Sequence, residues 1–339
     1  MSLRLFGAAL AAPLLLTTAM PVAAQQEGAS AEDSDWQVPR TPWGDPDLRG
    51  SYPLDYLNGT PRTRSPQFGD RAEYTDEEYA QILRNAEGLL QRYDQEIEIG
   101  TMSMGHWTER GRPLRQTSLL VLPENGQMPA PTEEGRRLAA LDKTSWNHNE
   151  FNELDDFGPF DRCISRGLPG SMLPGAYNMG IEVWQSPGIV GIKLEMIHET
   201  RIVHLDGRAP PPEDVRNWLG YSIGHWEGDT LVITTTNFEP GSSLGGVPNS
   251  TEMVMVERLT PTSANEIRYE ATVTDPVVLT APFKYDFPWR RNDDYVQYEY
   301  ACHEGNVQIR GYILGTGTNP KVIAMREAAV EARDNAGSN

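Results

Sequence analysis

Cysteine is almost absent from this chain, with only Cys163 and Cys302 in 339 residues. If the protein is exported, two lone cysteines in an oxidising compartment more often pair than stay free, and the alternative is two separate buried thiols. A bridge would tie the loop at 162–170 to the segment at 298–306, and it leaves no cysteine for a metal. Basic residues are also scarce. The whole chain has 29 Lys and Arg against 48 Asp and Glu. Without the N-terminal stretch that carries Arg4, the balance is 28 − 48 = −20. Such a charge, with no clustered basic patch, repels phosphate backbones and argues against nucleic acid as a partner.

Long apolar runs are missing beyond the start of the chain. No later stretch reaches the eighteen or so residues of a spanning helix, so no membrane insertion is expected. Nucleotide and serine-nucleophile signatures are missing too. There is no Gly-x-Ser-x-Gly elbow, no Gly-x-Gly-x-x-Gly loop and no phosphate-cradling Gly-rich loop ending in Lys-Ser/Thr. Serine hydrolase, dehydrogenase and nucleotide-dependent classes therefore lack support, and no cofactor is expected.

What the chain does have begins with an export signal. Residues 1–24 combine Arg4, an apolar run to Leu16 that Pro13 breaks, and a small-residue exit at Val22-Ala23-Ala24. This pattern predicts a cleaved signal peptide and a periplasmic or secreted protein. Residues 25–40 read as a disordered leader and 41–160 as a loop-rich region with one helix. That helix starts at Thr75, which caps it while Glu78 completes a capping box. Tyr79, Ile82, Leu83, Ala86, Leu90 and Tyr93 then share one face for packing.

From Gly180 the pattern turns to short β-branched and aromatic runs separated by Gly, Pro, Asn or Asp. Strands are predicted at 181–184, 189–196, 200–205, 222–226, 230–236, 252–259, 266–274 and 295–301. Short hairpin links favour antiparallel pairing. The expected fold is mainly β, an antiparallel lipocalin-like barrel or half-barrel over 161–327, with a tail at 328–339.

Four segments carry a further signal: RCISRGLPG at 162–170, EMIHETRIVHLDGR at 195–208, GHWEGDTLV at 224–232 and YEYACHEGN at 298–306. With TSLLV at 117–121 and PTEEGR at 131–136, the chain resembles, over residues 41–314, a large family of secreted soil and marine bacterial proteins, most without an assigned activity. The resemblance implies an exported β-rich protein and leaves the chemistry open. It carries His198, Arg201, Asp206 and Arg208 but does not require histidine at 204.

Chemistry is densest at 195–208. Side chains alternate along a strand, so His198, Thr200, Ile202 and His204 share one face, while Glu195, Glu199, Arg201 and Val203 share the other. An inward imidazole face makes His198 a general base. An inward opposite face makes Arg201 with Glu199 a buried pair able to hold an anion, or simply a structural salt bridge. His303 is the second candidate. It reaches toward His198 or His225 across a barrel, or it merely ends a strand beside a disulfide.

Candidate catalytic residues are thus His198, His303 and Arg201, with Trp226, Tyr298, Tyr300 and His225 as substrate contacts. No compact histidine spacing marks a metal site, so no metal is assigned. Two functions fit. One is a cofactor-independent lyase, hydrolase or isomerase acting on a small aromatic, terpenoid or sugar-derived compound. The other is a lipocalin-like carrier of a small hydrophobic ligand. Oligomeric state is left open.

Overall fold

A computed structural model describes residues 36–336 except 102, 104–107, 109, 110, 112, 142, 143, 146–149 and 242–246. The predicted signal peptide and most of the predicted leader lie outside the described residues. Everything below belongs to the unit that begins at Gln37.

Ten strands form one curled, mostly antiparallel half-barrel sheet. They are β1 (Gly50–Pro53), β2 (Leu120–Leu122), β3 (Gly180–Ser186), β4 (Ile189–Leu194), β5 (Thr200–His204), β6 (Tyr221–Glu227), β7 (Thr230–Thr236), β8 (Val254–Ser263), β9 (Glu266–Thr274) and β10 (Phe283–Arg290). The spatial order is β1-β3-β4-β5-β6-β7-β8-β9-β10-β2, a meander whose two edges come from the loop-rich N-terminal region. The curl turns the edges toward each other. Asn292 N–H donates to the Ser51 carbonyl at 2.8 Å, and the Tyr56 hydroxyl donates to the Pro288 carbonyl.

Alternation dictates which side is buried. Met255, Glu257 and Leu259 on β8, Ile267, Tyr269, Ala271 and Val273 on β9, and Phe283, Tyr285, Phe287 and Trp289 on β10 all point to the core. Leu48, Leu54, Leu57, Leu168 and Met172 from the N-terminal loops fill the same cluster. Side chains thus occupy this face of the half-barrel, as close packing of an apolar surface requires.

Two expectations about strands need correction. The segment 295–301 is not a strand, although its composition favours one. Its Tyr298 N–H and Tyr295 hydroxyl instead donate to Glu195 at 2.9 and 2.7 Å, so local hydrogen bonds to a buried carboxylate replace a ladder. Sequence reading missed three strands, the short edge strands β1 and β2 and the longer β10. Pro288 inside β10 argues against a central strand. The position tolerates proline because β2 pairs β10 only at Lys284 and Tyr285, which leaves one side of Pro288 without a ladder partner.

Pairing is also not antiparallel throughout. The segment 205–220 carries the chain back to its starting end, and β6 runs parallel to β5 with only Val203↔Ser222 and His204↔Ile223 in register. Gly224 sits at this joint, where a Cβ would come within 2.7 Å of Val203 and 2.8 Å of Leu205. Beyond it, Gly228 at φ 61 turns the β6–β7 hairpin.

Helices cover the remainder. Helix α1 (Asp76–Glu98) begins at the predicted capping box of Thr75 and Glu78, but its apolar stripe is only half-buried and Leu90 is exposed. It is followed by α2 (Glu133–Leu141), α3 (Cys302–Gly305), α4 (Gln308–Thr316) and α5 (Pro320–Ala336), so the predicted β-domain ends in helices and the predicted tail continues one. Among the described residues, no helix is long and apolar enough to cross a membrane.

Candidate functional site

Three of the quoted segments meet around the Cys163–Cys302 disulfide, which joins residues 139 apart with a Cα–Cα distance of 5.8 Å. Ser165 donates to Glu199 Oε2 at 2.9 Å, and the Arg166 backbone N–H also donates to the Glu199 carboxylate. Burial raises the Glu199 carboxyl above its ordinary value, against those two bonds and the Arg166 charge. Arg166 itself is buried and held down to about 10 by desolvation and by the nearby Arg62 charge.

Glu195 anchors the same region. It accepts from Asn178 and from the backbone N–H groups of Gly180 and Tyr298, as well as from the Tyr295 hydroxyl. Between Glu195 and Glu199 the chain bends sharply, with Ile197 at φ 64 and His198 at φ 44 in the left-handed region. This bend takes His198 out of the strand alternation and leaves it exposed. Replacing His198 with glycine removes the left-handed penalty of an L-residue at the cost of a floppier unfolded chain. Thermal unfolding of His198→Gly should show a stability unchanged or raised by up to about 1 kcal/mol.

Arg201 takes the inward face of β5 and pairs with Glu257, not Glu199. The guanidinium is bidentate, Nη1 to Oε1 at 2.9 Å and Nη2 to Oε2 at 2.5 Å, and both side chains are buried. Nη2 also donates to Ser222 and Thr235 at 3.2 Å, and the Tyr269 hydroxyl donates to Glu257 Oε1 at 2.8 Å. With its fork occupied, Arg201 has no free pair of donors for a substrate anion, so its role as a substrate clamp is corrected to an internal ion pair.

The other sequence-level candidates scatter. His225 is exposed and sits 3.3 Å from Glu227, which also binds Arg258. Trp226 packs against the core. Tyr298 is exposed, and Tyr300 stacks on Tyr177 with centroids 6.4 Å apart. Its hydroxyl is pushed up to about 12, chiefly by burial. His303 is exposed on α3.

A concave site does open on the outer face of β5, where the short parallel joint leaves the sheet incompletely zipped. This cleft of about 380 Å³ is lined by Glu199, Thr200, Ile202, His204, Trp218 and Tyr221, with Arg201 and Ser222 at the joint. His198 and His303 do not line it. Alternation places Thr200, Ile202 and His204 outward while Arg201 and Val203 point in.

His204 stacks on Tyr221, with centroids 5.2 Å apart and planes at 23°. Its Nδ1 is buried and has no hydrogen-bond partner. Burial, then the Arg208 charge, lowers its pKa below the ordinary 6.5, so the neutral ring is the resting form at neutral pH. Arg208 pairs with Asp206 and also hydrogen-bonds the Tyr221 hydroxyl.

No family model, curated protein or solved structure matches this chain. The chemistry of the cleft therefore rests on its own residues. Glu199 and His204 lie five steps apart along extended chain, a span of roughly 16 Å, so the two groups mark opposite ends of the cleft and do not act on one bond. His204 was passed over in the sequence because the resemblance does not require histidine there. That Thr200, Ile202 and His204 share one face was legible, but that this face points outward was left open, and the return of Trp218 and Tyr221 beside them depends on the parallel joint.

Proposed function

We propose that the protein is an exported, cofactor-independent acid/base enzyme, an isomerase or lyase, that acts on a small ring-bearing compound in the β5–β6 cleft. The observation that carries this is His204: a neutral imidazole lining a concave site beside Trp218 and stacked on Tyr221, with Nδ1 sealed from the cleft and Nε2 left as the working nitrogen. A base is useful when its neutral form dominates at the working pH and its nitrogen is free to accept. In this reading His204 takes the proton. The Tyr221 hydroxyl, held by Arg208, donates to the oxygen that gains charge. Trp218 and Tyr221 offer faces for a ring, and Glu199 binds a hydroxyl at the far end. Export, expected from residues 1–24, is part of the same proposal.

A turnover screen of aromatic, terpenoid and sugar-derived compounds tests this, with the pH profile of kcat/KM as the decisive readout. His204 is active as the neutral ring, so the rate should fall as pH drops through a value below 6.5. The sign for stability is the same. A depressed histidine contributes stability that is present above 6.5 and lost as pH falls through the lowered value. An acid limb at or above 6.5 would exclude His204 as the base.

A further inference from the structure

The C-terminal helices carry a second concave feature, remote from the sheet's parallel joint. A groove of about 460 Å³ runs among Leu154, Ile309, Ile313, Leu314 and Met325, with Arg162, Arg310 and Asn306 as its polar lining. Its floor belongs to a small core of Phe151, Phe157 and Ile309, against which Ile313 packs. Its rim is unusually apolar for a surface, since Leu154 is 59% and Met325 54% exposed.

Charge is left over at the same place. Arg162 Nε is buried without a partner, and the group's one carboxylate contact is Asp155 at 3.3 Å. Arg310, one helical turn before Leu314 on α4, makes no hydrogen bond or ion pair among the described residues. Arg162 thus balances Asp155, while Arg310, unpaired among the described residues beside an apolar trough, is available to an outside anion.

We propose that this groove binds a free long-chain carboxylate, with the alkyl chain along Ile309, Ile313, Leu314 and Met325 and the head group at Arg310 and Arg162. A flexible chain suits an open trough better than a rigid ring does, and the volume lies in the range of small-ligand sites. The groove is independent of the β5–β6 cleft, so either site can fail without the other.

Calorimetric titration with octanoate, decanoate, dodecanoate and 1-decanol, below their aggregation concentrations, tests it. Each added methylene should tighten binding up to about fourfold until the groove is full. Decanoate should bind about tenfold or more tightly than 1-decanol, as a charge-assisted pair implies. Arg310→Ala should erase the preference for the carboxylate, and Met325→Glu, at an exposed rim position, should weaken every carboxylate. Equal affinity for decanoate and 1-decanol, or titrations unchanged in both variants, would overturn the proposal. So would a dimer that Met325→Glu dissociates, because the groove would then belong to a second copy of the chain.

Discussion

Glu257→Gln should cost the fold about 3–5 kcal/mol, the usual penalty for leaving a buried charge without its partner. Arg201 and Glu257 are both buried to within a percent or less at their side chains. Three donors lose their carboxylate together: both Arg201 Nη groups and the Tyr269 hydroxyl. Burial, the largest cause that holds the Tyr269 hydroxyl well above its ordinary value, persists in the variant and opposes compensation by ionised Tyr269. Denaturant titration should show a lower midpoint with an unchanged slope. The combined variant Arg201→Met, Glu257→Leu, Tyr269→Phe should recover most of that loss, since apolar replacement of a whole buried ionic group is often neutral or stabilising. A single variant as stable as the parent would mean that water reaches the pair.

Loss of the disulfide is the second large effect. Cys163→Ser with Cys302→Ser should lower stability by about 2–5 kcal/mol, because the bond closes a long loop of the unfolded chain. The separation of 139 residues places most of the sheet inside that loop. Asn306, which donates to Cys163 Sγ at 3.4 Å, ties the end of α3 to the same point. Hydrogen exchange should therefore quicken first around 295–306 and in the loop at 162–170, before β7, β8 and β9 respond. Thermal melts with and without reductant give the size of the effect, and coincident curves would show that the bridge does not restrain the chain.

How far the sequence announced this molecule depends on the range of the interaction involved. Strands β3 to β9 follow local alternation and turn residues, so each was readable, β7 and β9 to the residue and β8 short by four at its end, as was the capping box at Thr75. The disulfide was readable because two cysteines leave a single pairing. Strands β1, β2 and β10 were not; for β10 the tolerance of Pro288 depends on where β2 stops, 166 residues away in no local pattern. The segment 295–301 misled for the converse reason. Its aromatic composition suits a strand, but Glu195 captures its hydrogen bonds.

The site divides in the same way. The cluster at 195–208 was recognisable as the densest chemistry in the chain, and the two-faced reading of the strand holds from Thr200 to His204. Which residues share a cleft was not recognisable, because Ile197 and His198 leave the strand geometry and β6 returns parallel. Burial of Arg201 was one of two readings left open, with Glu199 as its partner; the partner is Glu257 on β8, beyond the reach of local pattern.

Three histidine variants, assayed side by side on a compound found to turn over, separate the proposed cleft from the sequence-level alternative. His204→Ala should lose on the order of a hundredfold or more in kcat, the range typical of a deleted general base, with its melting temperature nearly unchanged. His198→Ala and His303→Ala, whose side chains are exposed and outside the cleft, should keep parental rates. Full activity in His204→Ala together with a collapse in either of the other two would contradict the account.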